Sequence, residues 1–360
     1  MGIFRVSRLR APVIAPGTRE AVPRLRGIAG GAAPSGPRVW AFASGCGGLG
    51  RSTLSITLGA RLVRRGRTTC VIDADWTSPT LGALLDLPGG ATDWPGRAGE
   101  LAPLPSGVHE DLTVVLGAAP MIGDPTRRDA RQLATHVSAL GQDDVLLDLP
   151  AGTNDAALDL WLRAERPILV AVPERLPLES TARLLGRVFA RLARPWLARR
   201  IGSSEADEAL TQAWDECAGR TGTWMRTVAR IADVPASELA SHVGRKPLYL
   251  VLNRVRRGDD VDVGHALVTA AGHGLGLDLR FRAALPWDAD AWIRARRRTG
   301  AVSVRAGDLL GVELDEFLQR MDDSHDLPGR GNWRLDLGAL AQLAGAGGST
   351  APERNEPPWR

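Results

Sequence analysis

Residues 44–53 read SGCGGLGRST, four glycines that close on Ser52 and Thr53. A turn of this kind lets successive backbone N–H groups converge on an anion, and the dipole of a following helix adds to the attraction. Gly45, Gly47, Gly48 and Gly50 supply the geometry, Cys46, Leu49 and Arg51 fill the positions between, and a hydroxyl of Ser52 or Thr53 is suited to ligate Mg2+. Carboxylates recur where such a site needs them. Asp73 and Asp75 follow an apolar run at 69–72, and Asp148 ends the run Val145-Leu146-Leu147. One such Asp reads as the cap of the next turn. Three of them, in order and at strand ends, read as a metal and water site.

The elements that must position these residues follow from the apolar pattern. Strands are predicted over 39–43, 69–72, 112–116, 144–149, 167–172, 247–252 and 279–285. Helices are predicted over 52–65, 127–140, 178–192 and 309–321, with Gly66 as the C-terminal cap of the first. Residues 205–242 have helical spacing and read as an inserted helical subdomain, bounded at about 203–244. Strands alternating with helices predict an α/β fold: a doubly wound, mostly parallel sheet flanked by helices, with that small helical insert. In such a sheet the loop and all three carboxylates fall at the C-terminal strand ends, where ligands bind. The nucleotide domain is placed at 38–322. An Arg/Pro/Gly-rich stretch (1–37) reads as a flexible tail, and 323–360 as a second tail with a short amphipathic piece at 333–343.

Composition narrows the classes. The net charge of +4 over 360 residues gives no argument for DNA. Cys46, Cys70 and Cys217 are the three cysteines and no CxxC occurs, which argues against a disulfide scaffold or a cysteine-ligated cluster, and sets an iron–sulfur carrier aside. No apolar run reaches the roughly 18 residues of a membrane span. The N-terminus lacks the apolar core of a secretory signal, so a cytoplasmic location is expected. Basic clusters at Arg194, Arg199 and Arg200 and at Arg294, Arg296, Arg297 and Arg298 read first as solvated faces.

The loop meets the pattern GxxxxGK[ST] from Gly45 through Ser52, except that Arg51 stands at the lysine. With its ordered companions, the chain resembles the MinD/ParA group of P-loop ATPases (the SIMIBI class), nearest the FlhG-like, or FleN-like, branch. Cys46 to Ser52 resembles the group's deviant Walker A loop, KGGxGK[ST]. The segment VIDADWTSPTLGALLDL (71–87) resembles its first switch, and the stretch 143–174 its Walker B and second switch. The resemblance implies bound ATP and Mg2+, with the metal held by Ser52, Asp73 and Asp148. Asp75 would place the attacking water and Asn253, in LVLNRVR, would meet the adenine edge. Pro286-Trp287-Asp288 would close over the nucleotide. It further implies a homodimer that regulates the position or number of a cell-surface or division structure, with peripheral contact to the inner membrane left open and the protein partner unidentified.

Two departures bear on turnover. The group uses two lysines in the loop, one on the nucleotide's own phosphates and one reaching across the dimer; here they are Arg51 and Cys46. Lys246 is the only lysine in the chain, so an arginine-favouring composition accounts for Arg51 but not for Cys46. Losing preorganised charge at one such position costs about 10²–10³ in rate, by analogy with oxyanion donors. The expectation is a protein that binds ATP and hydrolyses it slowly or not at all. The alternative is a nucleotide-independent pseudo-ATPase scaffold, in which Arg51 or Trp76 fills the cavity.

Overall fold

The computed structural model describes residues 36–87, 101–117, 124–152, 154–288 and 309–323. Strand β1 (Arg38–Ala43) leads into the glycine loop and helix α1 (Arg51–Arg64) returns to β2 (Thr69–Asp73). A short α2 (Leu81–Leu84), an edge strand β3 (Leu104–Pro105) and β4 (Leu112–Val115) follow. Next come α3 (Arg127–Ser138), β5 (Asp144–Asp148), α4 (Asp155–Arg163), β6 (Arg166–Ala171) and the long α5 (Arg175–Ile201). Helices α6 (Ser203–Glu216), α7 (Trp224–Ile231) and α8 (Ala236–Val243) form the insert. The order continues with β7 (Leu248–Val255), α9 (Gly258–Leu275), β8 (Leu279–Pro286) and α10 (Leu309–Asp323).

The eight strands lie in the order β3-β4-β2-β5-β1-β6-β7-β8, parallel throughout except for β3 against β4. Both faces are covered, which is why the central strands are apolar except at their ends. Side chains alternate between two cores: Trp40 and Phe42 pack with α1 and α10, and Ala41 and Ala43 with the layer formed by α3 to α9. The expected doubly wound sheet is present. Its central strand carries the glycine loop.

Several helices depart from the sequence expectation. Helix α5 runs nine residues beyond the predicted end at 192, through Pro195, because buried Ala193, Trp196 and Leu197 anchor the far part. Proline removes one backbone donor, and here its ring is exposed at the outer side of the helix. Helices α4 and α9, and the short α2 and β3, have no counterpart among the predicted elements. In α9 the pattern is blurred by Gly264, whose position a Cβ would share with the Phe281 ring at 2.3 Å. The predicted clusters Arg294–Arg298 and 333–343, and nearly all of the tail at 1–37, lie outside the described residues. Among the described residues no helix is long and apolar enough to cross a membrane.

At the opposite end of the sheet from the loop, fully buried Asp144 accepts from Arg38 Nε and Trp40 Nε1, each at 2.8 Å, and from Arg67 Nε. It ties the starts of β1 and β5 to the turn before β2. Asp144→Ala strands a buried indole N–H and removes the acceptor of two half-buried guanidiniums. A loss of about 2–4 kcal/mol is expected, read as a lower denaturant midpoint at unchanged slope.

Candidate functional site

The site is assembled at the C-terminal ends of β1, β2, β5 and β7. Gly50, the N-cap of α1, has φ 91° and gives no side-chain cap, and the first turn of α1 contains no acidic residue. By contrast, Thr126 caps α3 and Asn154 caps α4. The opening N–H groups of α1 therefore add to a positive field at the loop. Gly48 also has positive φ, 77°. A Cβ at Gly45 would lie 2.3 Å from the backbone of Ser180 in α5, so only glycine lets the loop pass under that helix. A Cβ at Gly50 would lie 2.6 Å from Asn253 Nδ2. Gly50→Ala is expected to cost about 1–3 kcal/mol in backbone strain, with Asn253 displaced, measured as a shifted urea midpoint.

The three carboxylates prove to be different in kind. Register places Asp73 directly opposite Asp148 across β2 and β5. Asp73 Oδ2 accepts from the backbone N–H groups of Thr80 (2.9 Å) and Leu81 (3.0 Å), and its Oδ1 accepts from Asp75 N–H. Asp75 Oδ1 accepts from Thr77 N–H, Thr77 Oγ1 and Ser78 N–H, while its Oδ2 pairs with Arg51 Nη2 at 3.3 Å. Both thus do what a turn-capping aspartate does. Asp148 does not. It is fully buried, and neither carboxylate oxygen has a hydrogen-bond partner.

Burial first, then the Arg51 charge and the neighbouring Ser52 hydroxyl acting against it, leave the Asp148 pKa raised to about 6. Asp73 is pushed to about 7, by burial and then by the charge of Asp148. Ser52 Oγ accepts from Thr80 Oγ1 at 2.9 Å, which joins the start of α1 to the segment after β2. A buried carboxylate with two open oxygens beside this hydroxyl fits a hard cation. Mg2+ in particular takes one or two carboxylates and keeps waters and phosphate oxygens for the rest. Asp148 and Ser52 would hold it; Asp73, engaged by three backbone donors, is better placed to order the loop it caps.

Arg51 is buried, and its guanidinium donates to Asp75 and to the carbonyl of Leu149, the residue after Asp148. Trp76 packs instead into the hydrophobic layer that holds α3 to α9. Cys46 is half-buried, and its carbonyl accepts from Ser44 Oγ. Asn253 Nδ2 donates to Leu49 O at 2.8 Å and its Oδ1 accepts from Arg254 N–H, so its amide braces the loop. Pro286 is paired with Val255, and Trp287 N–H donates to Val255 O, which folds the 286–288 segment over the end of β7. Sequence reasoning passed over Arg254. It has φ 60°, donates to Gly48 O and stands 5.8 Å from the Trp287 ring, with Arg256 4.8 Å from the same ring. Nothing in the sequence marks that backbone conformation. Beside it a cleft of about 240 Å³ is lined by Pro173, Glu174, Arg254, Arg256, Arg257 and Asp260.

The fold is shared with solved structures. The MinC:MinD cell division complex of Aquifex aeolicus superposes with TM-score 0.51 at 16% identity, covering 82% of this chain and all of that one. The fold is that of the MinD/ParA-type P-loop NTPases. MinD from Pyrococcus horikoshii, solved with Mg-ADP, gives 0.50 at 18% identity over 80% of this chain and 97% of its own. Residues 37–195 match the family model described as "ParA: NUBPL iron-transfer P-loop NTPase", which spans the glycine loop and all three aspartates. Curated relatives carry another name than the flagellar branch of the sequence expectation. An iron–sulfur cluster carrier protein of Mycobacterium tuberculosis is 29% identical over 213 residues, and one of Bacillus subtilis 33% over 150. The first match covers 55% of this chain and 54% of the relative, the second 38% and 40%. The chain thus spans about half the length, or less, of the curated relatives it matches.

Proposed function

We propose that this MinD/ParA-type chain binds ATP with Mg2+ at the Gly45–Thr53 loop and turns it over slowly or not at all. The observation that carries the reading is Asp148, a buried carboxylate with two open oxygens beside Ser52 and the uncapped start of α1. Bound Mg2+ would supply charge neutralisation at the phosphates. The chain's own contributions are the loop N–H groups, the Arg51 guanidinium and the order imposed on 74–81 by Asp73. Slow turnover is supported by Asp75: one oxygen is held by Thr77 and Ser78 and the other faces the Arg51 guanidinium, with which an aligned water would compete.

Isothermal titration with ATP and Mg2+ tests the binding: heat is expected well below millimolar nucleotide and none with Mg2+ omitted. Silence at millimolar ATP would remove the proposal in favour of the nucleotide-independent scaffold.

Dimerisation through the loop and switch faces, and a role as a spatial or number regulator of the FlhG kind, rest on the motif resemblance alone. The names of the curated relatives favour a second reading, an iron–sulfur carrier. The thiols do not support it within one chain: Cys46 lies in the loop, Cys70 in β2 and Cys217 at the end of α6, the last two buried. Iron and sulfide analysis after anaerobic reconstitution separates the readings, since a stoichiometric cluster would favour the carrier.

A further inference from the structure

On the face of the molecule formed by α3, α4 and α5, a cleft of about 600 Å³ is lined by Arg127, Arg131, Asp159, Arg163, Arg191, Arg194 and Pro195. Helical spacing produces it. Arg127 and Arg131 are four apart on α3, Asp155, Asp159 and Arg163 step by four along α4, and Arg187 and Arg191 do the same on α5, so three stripes converge.

The charges in it are unbalanced. Asp155 is shared by Arg127, Arg187 and Arg191 at 3.2–3.6 Å, and Asp159 pairs with Arg127 and Arg191. Arg194 faces away to Asp207 of α6. Arg131 and Arg163 form no ion pair among the described residues. The centre is partly shielded from water, Asp159 and Arg191 being 18% and 20% exposed, so charge pairs there are less screened than on an open face.

We infer that this cleft docks an acidic segment of a partner protein, whose carboxylates engage Arg131 and Arg163 and extend the Asp155–Asp159 network. Guanidinium forks match carboxylates two bonds at a time. The interleaved aspartates decide against nucleic acid: a continuous run of phosphates would be pressed against Asp155 and Asp159, whereas separate carboxylates interdigitate with them. No aromatic ring lines the cleft to stack a base. The inference stands apart from nucleotide binding, because none of these side chains belongs to the loop site.

The test uses the full chain and a labelled short peptide of alternating Asp and Ser, with an Asn-Ser peptide and a duplex DNA of matched charge as comparisons. Fluorescence anisotropy at low salt is expected to show binding of the Asp peptide alone. Arg131→Gln with Arg163→Gln is expected to weaken it about tenfold at an unchanged melting temperature, both residues being exposed and unpaired. Arg199→Gln with Arg226→Gln, exposed charges elsewhere, is expected to leave it unchanged. Equal losses in the two double variants, no peptide binding at all, or tighter binding of DNA would each overturn the inference.

Discussion

Asp148→Asn stabilises the nucleotide-free protein at pH about 8 while abolishing its Mg2+-dependent affinity for ATP. The carboxylate is fully buried without a hydrogen-bond partner, and its pKa in the fold is raised to about 6 from an unfolded value near 4. A group whose folded pKa is raised binds its proton more tightly in the native state than in the unfolded one. Stability therefore falls as pH rises from about 4 to about 6 and is flat above. For Asp73, raised to about 7, the fall extends to that pH.

A shift of this size at Asp148 corresponds to about 3 kcal/mol of strain in the ionised native state. Asparagine keeps the shape without the charge but loses the attraction to Arg51, so a gain of about 1–3 kcal/mol is expected, or several degrees in Tm. At pH about 5, midway through that fall, the advantage shrinks to about half, and it disappears near pH about 4, where the carboxyl is protonated in the fold and largely so in the unfolded chain. Thermal melts at the two pH values, with titration calorimetry for the nucleotide, check both halves. A Tm gain that persists undiminished at the lower pH contradicts the assignment, as does undiminished Mg2+-dependent binding. Such opposition between stability and binding is expected of a site built to receive a cation.

Cys46→Lys combined with Arg51→Lys is expected to raise steady-state ATP hydrolysis by about 10²–10³ over the unmodified chain. Two physical changes act together. Lysine at 51 is a point charge on a flexible stem, so it gives up the fork that now spans Asp75 and the Leu149 carbonyl, and it returns one Asp75 oxygen to solvent or substrate. Lysine at 46 restores a charge that the thiol lacks, on a half-buried position of the loop. Arg51→Lys alone is expected to recover only part of the rate. Phosphate release measured beside ATP affinity separates the cases: a double variant that binds but stays inert shows that Asp75, fastened by Thr77 and Ser78, is itself out of place.

Much of the fold was legible because parallel strands covered on both faces must be apolar throughout. The runs at 39–43 and 167–172 have that property, as do Val145 to Leu147 inside the predicted strand 144–149, and the strands β1, β5 and β6 match the predictions within one residue at either end. Helix α9 was illegible for a specific reason: Gly264 sits where a Phe281 ring from β8 leaves no room for a side chain, and that demand is invisible in α9 itself. Helix α5 outran its prediction because the residues beyond Pro195 are held by contacts with the insert: the Trp196 ring stacks on His242 at 5.8 Å and Arg200 pairs with Glu238 at 3.1 Å.

At the site, what the sequence by itself determined was inventory and order: a glycine loop after a strand, carboxylates at two strand ends, and the loss of both lysines. These are local facts, carried by residue types within a few positions of one another. Only the tertiary structure decided their roles. Asp73 and Asp75 look alike in sequence to Asp148, yet they are held by backbone donors two to eight residues ahead, while Asp148 lies between strands from distant parts of the chain with neither oxygen hydrogen-bonded. The same holds for Arg51, whose partners are 24 and 98 residues away, and for the arginine cleft, whose stripes come from three helices. Residue type limits which bonds a group can make; strand order and helix packing determine which of them are made, and so which carboxylate is left open for a cation.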